Sequence, residues 1–270
     1  GLAMKDIDLD LAAKSDTLRQ KAEHYINQLA GGSSIEGNPD LGVILAEVNQ
    51  ACSEMNAWVK KQSLELLNQQ KLVGLLGGDH STPLGLMQAL AEKYDEFGIL
   101  HIDAHADLRK AYEDFEFSHA SIMYNALKIE QVTHLVQVGI RDYCEAELNL
   151  IGSDKRITTF FDRDIKHQQY EGSSWSAICD RIIDSLPEKV YLSFDIDGLD
   201  PKLCPGTGTP VPGGLEMEQA IYLIEKLVYS GRTIISFDLN EVGPGDDEWD
   251  ANVGARLLYK LANLCMVSNK

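Results

Sequence analysis

Residues 71–241 carry five short apolar runs, "KLVGLLGG", "EFGILHID", "HLVQVGIR", "KVYLSFDID" and "RTIISFDLNE", separated by amphipathic stretches such as "STPLGLMQALAEKY" and "EMEQAIYLIEKLVYSG". Runs of this length and composition suit strands buried on both faces, and a sheet with helices on each side buries both faces at once. The alternation therefore predicts an α/β chain with a mostly parallel central sheet. The segment before it differs. From about Leu9 to Gln70 apolar residues recur at helical spacing, broken by "GGSSIEGNPDLG" at 31–42, which reads as a helical N-terminal part with a turn-rich break. No repeat, low-complexity tract or composition shift marks a linker. With 270 residues and 44% hydrophobic content, the chain can fill one core, so a single domain over 1–270 is expected.

Polar residues gather where these runs stop: Asp79 and His80, then Asp103, His105 and Asp107 in "HIDAHADLR", then Asp195 and Asp197, and finally Asp238 and Glu241. Open α/β sheets bind ligands beyond the carboxyl ends of their strands, so these groups are expected along one sheet edge. Alternate side chains of an extended segment share a face, which turns Asp103, His105 and Asp107 to one side. Carboxylates crowded into a cleft repel one another and must protonate or be neutralised by a cation. His80, Asp103, His105, Asp107, Asp195 and Asp197 exceed what one tetrahedral zinc needs and suit two ions sharing bridging carboxylates. Oxygen-rich ligation with two imidazoles points to two Mn²⁺, with Fe²⁺, Co²⁺ or Ni²⁺ as substitutes. Such a pair acidifies a bridging water, so the expected reaction is metal-assisted hydrolysis. His101 shares the parity of Asp103 but lies deeper in its run, and reads as a core histidine supporting the ligands. Asp79 reads as a turn residue orienting the loop of His80, and His24, His134 and His167 as ordinary surface or structural residues.

The charge balance narrows the partners. Acidic residues outnumber basic ones by 42 to 24, for a net charge of −18, which disfavours nucleic acid and anionic membranes and favours cationic ligands. No apolar run approaches the roughly 20 residues of a membrane span, and "GLAMKDIDLD" lacks the basic and apolar regions of a signal peptide. Five scattered cysteines with no CxxC pair argue against a disulfide framework or zinc ribbon. A soluble protein of the reducing cytoplasm is expected.

These motifs together resemble those of the ureohydrolases, the arginase, agmatinase and formimidoylglutamase family. The matching stretches are "GGDHS" at 77–81, "DAHADLR" at 103–109, "SHASIM" at 118–123, "SFDIDGLDP" at 193–201, "GTGTPVPGG" at 206–214 and "FDLNEVGP" at 237–244. The resemblance implies a three-layer α/β/α sandwich and a binuclear manganese centre. One ion would be held by His80, Asp103, Asp107 and Asp195 and the other by Asp103, His105, Asp195 and Asp197, with Asp103 and Asp195 bridging. Asp107 is thus both ligand and part of the catalytic set, alongside Glu241, which the resemblance makes the carboxylate that pairs with the substrate guanidinium, and His119, its mobile acid/base histidine. It also implies a homo-oligomer.

The run from "DAHADLR" to "SHASIM" looks more like agmatinases than arginases, which more often carry Asn where this chain has Arg109. Agmatine, hydrolysed to putrescine and urea, is the favoured substrate. Arginase, guanidinobutyrase and formimidoylglutamase activities stay open, as does a metal-binding but non-catalytic role. "GIRDY" at 139–143 and the Pro/Gly-rich loop at 205–214 are candidates for the substrate rim. Residues 1–70 lack the strand and Gly-Pro loop with which the family usually begins, so this part is expected to be truncated or diverged. Two other classes fit less well. Calcineurin-like phosphoesterases need an Asn-His motif and a late His-x-His that this chain lacks, and one-metal deacetylases of related fold have no use for both Asp197 and His80.

Overall fold

The computed structural model describes residues 1–243, 245 and 247–270. Two long helices, α1 (Leu9–Ala30) and α2 (Pro39–Asn68), open the chain, with their break inside the turn-rich stretch. Asp8 caps α1 by accepting the backbone N–H groups of Asp10 and Leu11, both at 3.1 Å, and Pro39 occupies the first turn of α2, where no N–H is needed. Lys14 to Glu54 at 2.6 Å and Lys21 to Glu47 at 2.5 Å join the two helices along exposed edges. Such pairs contribute at most about 1 kcal/mol. Apolar contact does more, and Tyr25 is the one fully buried side chain of α1 among the described residues.

The remaining elements alternate: β1 (Gly74–Leu76), α3 (Leu84–Leu90), β2 (Phe97–Ile102), α4 (Ile122–Ala126), β3 (Val132–Ile140), α5 (Glu145–Ser153), β4 (Ile157–Phe161), α6 (Asp162–Tyr170), α7 (Trp175–Asp184), β5 (Lys189–Asp195), α8 (Met217–Tyr229), β6 (Thr233–Asn240) and α9 (Trp249–Ser268). The strands form one parallel sheet in the order β1-β6-β5-β2-β3-β4. Its two faces carry separate cores. Leu100, Ile102, Val190, Leu192 and Phe194 pack against Ile182 of α7, Ile224 of α8 and Leu257 of α9. Phe97, Ile99 and Tyr191 pack against Val59 of α2, Leu86 of α3 and Met123 of α4. The three-layer α/β/α arrangement is as the sequence predicts.

Two details differ from the expected strands. "KLVGLLGG" yields only a three-residue edge strand whose Gly74 and Leu76 are exposed, because β1 pairs with β6 alone. Gly74 is needed there, since a Cβ would lie 2.4 Å from the Phe237 ring. A sixth strand, β4, has no apolar run of its own; its "ITTFF" lies at the other sheet edge, where threonines face partly outward. Among the described residues, no helix is long and apolar enough to cross a membrane.

The chain runs outward from β2 through β3 to β4, then returns to the other side of β2 with β5 and β6. Between β2 and β5 the winding therefore reverses, and at such a point the connections leave a crevice beyond the strand ends. Asp103 follows β2, while Asp195 ends β5.

Candidate metal centre

His80, Asp103, Asp107 and Asp195 converge at this crevice. His80 Nδ1 lies 3.1 Å from Asp103 Oδ2, 3.2 Å from Asp107 Oδ2 and 3.3 Å from Asp195 Oδ2. Beside them His105 Nδ1 is 3.0 Å from Asp197 Oδ2 and 3.5 Å from Asp103 Oδ1. All are buried except His105, which is about a quarter exposed at 23%. The potential donor atoms form two groups, His80, His101, Asp103 and Asp107, and Asp103, His105 and Asp197, with the atoms of each group within 4.8 Å of one another. Asp103 belongs to both, the arrangement a bridging carboxylate needs. Asp195 falls outside these groups although it touches His80, and His101 falls inside the first although its ring is otherwise engaged.

The donor set fits cations. Asp197 Oδ2 is buried without a hydrogen-bond partner, facing His105 Nδ1 at 3.0 Å. Protons alone leave the charge unevenly balanced. Burial pushes Asp107 up to about 8, with the charge of Asp103 adding, and raises Asp195 well above the carboxylate range, helped by Asp197 and Asp103. Burial also raises Asp103, but the imidazoles around it win and hold it well below that range. Burial opposes the charged form of His80 and His105. The surrounding carboxylates nevertheless hold His80 well above the usual imidazole range and His105 up to about 11. Crowded acids retaining protons near neutrality are a site that a divalent cation can satisfy.

Beneath the donors runs a polar row of which the sequence points to His101 and Asp238 but not to Thr159, Gln137 and Ser193. Thr159, Gln137, His101, Ser193 and Asp238 are register partners across β4, β3, β2, β5 and β6. Gln137 Nε2 reaches His101 Nδ1 at 3.1 Å, and His101 Nε2 reaches Asp103 Oδ2 at 2.8 Å. Ser193 Oγ lies 2.8 Å from His80 Nε2 and donates to Asp238 Oδ1 at 3.1 Å; Tyr191 also donates to Asp238. The row fixes both rings from below, which accords with a supporting role for His101. A signal did exist in the sequence, because Gln137 and Ser193 lie inside the apolar stretches of buried strands, where a polar side chain requires a partner.

Local backbone completes the cleft. Gly77 allows the loop after β1 to approach Asn240, whose Oδ1 a Cβ would meet at 2.1 Å. Asp79 Oδ1 accepts from the Ser81 N–H at 2.8 Å, as expected of a turn residue. Asp107 and Glu241 sit in the left-handed region at φ 54° and 62°, which costs a non-glycine residue about 1–2 kcal/mol. The carbonyl of Asp107 accepts from Met123 and Tyr124 at 3.0 and 3.1 Å. Glu241 donates its N–H to Gly78 O at 2.9 Å, and its Oε1 accepts from His80 N at 2.9 Å. Burial pushes its carboxyl up to about 7. His119 opens a short 3₁₀ turn, His119–Ser121, capped by Ser118. Burial lowers its imidazole, and the charges of His105 and His80 lower it further.

Arg141 of "GIRDY" is engaged elsewhere than at an open rim. Its guanidinium donates to Asp197 O at 2.7 Å, Val211 O at 2.9 Å, Gly139 O at 3.0 Å and Leu199 O at 3.2 Å, fastening the Pro/Gly-rich loop to the end of β5. Arg109 lies with its guanidinium 5.3 Å from the Tyr112 ring and its Nε 3.8 Å from Glu147 Oε2. Pro244, which ends the "FDLNEVGP" motif, lies outside the described residues.

Comparison with known proteins agrees with this geometry. Residues 14–263 match the model of the arginase family, a span that takes in most of the two N-terminal helices. An N(1)-aminopropylagmatine ureohydrolase of Thermus thermophilus is 34% identical over 229 residues, 83% of this chain and 74% of that protein. An agmatinase of Citrobacter koseri is 34% identical over 72% of this chain and 60% of its own length. A crystal structure described as a hypothetical agmatinase from Burkholderia thailandensis superposes with a TM-score of 0.65 at 30% identity, covering 81% of this chain and 64% of that one. This chain thus spans about two-thirds of that solved relative's length. The chain belongs to the arginase family of metal-dependent ureohydrolases.

Proposed function

We propose that the chain hydrolyses a guanidino compound with a cationic tail, agmatine to putrescine and urea, and so serves polyamine formation. One observation carries the reading: two groups of donors, all buried but His105, share Asp103, with the Glu241 carboxylate bonded to the backbone of His80 at their side. In this reading His80, Asp103, Asp107 and Asp195 hold one Mn²⁺ and Asp103, His105, Asp195 and Asp197 hold the second, with Fe²⁺, Co²⁺ or Ni²⁺ able to substitute. When bound, the ions supply a water acidic enough to act as nucleophile at neutral pH.

The side chains do the rest. Glu241 presents its carboxylate to the guanidinium, a planar cation whose paired N–H donors match it. Its proton, retained up to about pH 7, leaves as the cation arrives. Water adds to the guanidinium carbon, the bond to the tail nitrogen breaks, and the departing amine takes a proton. His119, whose imidazole burial holds toward the neutral form, takes the proton that the adding water gives up and hands it to the departing amine. Asp107 links the two parts, since its carboxylate belongs to the metal set while its carbonyl holds the first turn of α4, directly after His119–Ser121. A single domain over 1–270, a cytoplasmic setting and assembly as a homo-oligomer belong to the same proposal.

A second reading is agmatine bearing an aminopropyl extension, favoured by the name of the Thermus relative and by Asp142. That exposed carboxylate, 3.9 Å from His105 Nε2, could take a further amine. Urea release by the Mn²⁺-loaded chain is the test, with agmatine, aminopropylagmatine, arginine and guanidinobutyrate in parallel and formimidoylglutamate followed as formamide. Preference for either amine-tailed substrate supports the proposal and chooses between its readings. Preference for a carboxylate-tailed one overturns the assignment of the tail, and no release from any member overturns the activity.

A further inference from the structure

The N-terminal helices hold a strained turn just ahead of His119. Tyr112 and Phe115 close a two-residue hairpin turn, with Tyr112 N–H donating to Phe115 O at 3.2 Å and Phe115 N–H to Tyr112 O at 2.9 Å. Its central residues, Glu113 and Asp114, have φ of 50° and 64°, the backbone that an Asn-Gly pair adopts readily. Glu followed by Asp has no such preference. A strained conformation of this kind persists where its surroundings over-determine it.

Here the surroundings are α1 and α2. Asn49 clamps the turn and the arm that leaves it: its Nδ2 donates to Asp114 O at 3.2 Å, and its Oδ1 accepts from Glu116 N–H at 3.0 Å. Tyr25 donates its hydroxyl to Asp114 Oδ2 at 3.3 Å, and its ring meets Phe115 edge-on with centroids 5.1 Å apart. On the inner side, the Tyr112 ring lies 6.0 Å from the His119 ring and also faces the Arg109 guanidinium. The backbone continues through Ser118, which caps the His119 turn by accepting from Ala120 N–H at 3.2 Å.

We propose that Tyr25 and Asn49 are positioning residues, which hold the Tyr112–Phe115 turn and through it fix His119 where it meets the leaving amine. The proposal deepens the functional reading and rests on the proton-transfer role of His119 stated there. Neither residue acts on substrate directly. The N-terminal helices thereby belong to the catalytic apparatus as well as to the scaffold.

The test compares the full Mn²⁺-loaded chain with Asn49→Ala by steady-state kinetics, manganese content and hydrogen exchange at residues 110–119, and compares the NMR signals of the His119 ring in the metal-stripped forms, where paramagnetic Mn²⁺ does not broaden them. Asn49→Ala should speed exchange over 110–119 and shift the ring signals, lower kcat about tenfold and leave KM within about twofold, as slight misplacement of a reacting group does. Manganese content should not change. Tyr25→Phe, which keeps the ring contact, should show the same pattern more weakly.

Adding Glu113→Asn and Asp114→Gly to Asn49→Ala supplies a turn that favours this backbone unaided. It should restore slow exchange, the ring signals and most of the lost kcat, which a merely stabilising role for Asn49 does not predict. Unchanged exchange in Asn49→Ala overturns the proposal. So does unchanged kcat despite faster exchange, or failure of the Asn-Gly turn to restore kcat once exchange is slow again. If the unsubstituted chain releases no urea, the functional reading fails separately, and the exchange data and His119 signals by themselves decide whether the helices position that ring.

Discussion

At the scale of single residues, the proposed roles divide between groups that bind metal and groups that move protons, and substitution should separate them. His119 lies outside both donor groups. His119→Ala is therefore expected to keep its manganese while kcat falls roughly 10²- to 10⁴-fold; elemental analysis beside turnover checks both. Loss of metal together with activity would instead make His119 a ligand. Asp103 is unlike its neighbours because the imidazoles of His101, His105 and His80 keep it ionised, so it offers charge to both donor groups without first losing a proton. Asp103 and the other metal-set residues were legible from the sequence because they gather where apolar runs stop, whereas His119, in a loop, was legible only through the resemblance of "SHASIM" to the family motif. Arg141 was legible as a special residue but not in its role: four backbone carbonyls receive its guanidinium, and nothing in "GIRDY" says that the loop at 205–214 comes back to meet it.

At the scale of elements, the strands position chemistry through what lies one pleat below the ligands. Ser193 is the clearest case, a hydroxyl in β5 between the His80 ring and buried Asp238. Ser193→Ala should leave the fold intact and weaken manganese binding about 10- to 100-fold, the usual effect of removing a group that orients a metal ligand; metal titration of the stripped variant measures it. Unchanged affinity would show that His80 is oriented well enough by its carboxylates alone. Register explains why the sequence reading overlooked most of this row. Which polar residues lie side by side depends on strand order, and the order β5-β2-β3 joins segments far apart in the chain. The edge strands suffered for a different reason. β1 and β4 have one partner each and are partly exposed, so β1 is shorter than its apolar run and β4 lacks the mostly apolar pattern by which the inner strands declare themselves.

At the scale of the whole molecule, the fold concentrates acid at one sheet edge of an already acidic chain, with a net charge of −18, and stability should depend on what neutralises it. Asp107 is raised from the ordinary carboxylate range to about 8 and His105 from that of imidazole to about 11. Between pH 7 and 9 the folded chain therefore holds protons that the unfolded chain has already lost, so stability falls as pH rises. The metal-stripped protein should accordingly lose Tm from pH 7 to 9, whereas the Mn²⁺-loaded protein, whose carboxylates are neutralised by the ions, should change much less. Equal pH dependence of the two forms would mean that this cluster does not govern stability.

If guanidino hydrolysis takes place at two ions sharing Asp103, urea release from agmatine by the stripped chain titrated with Mn²⁺ reads it out. Activity should climb until two equivalents per chain are bound and then stop rising, with elemental analysis giving the same count. Full activity at one equivalent, or urea release that survives complete removal of metal, would contradict the account.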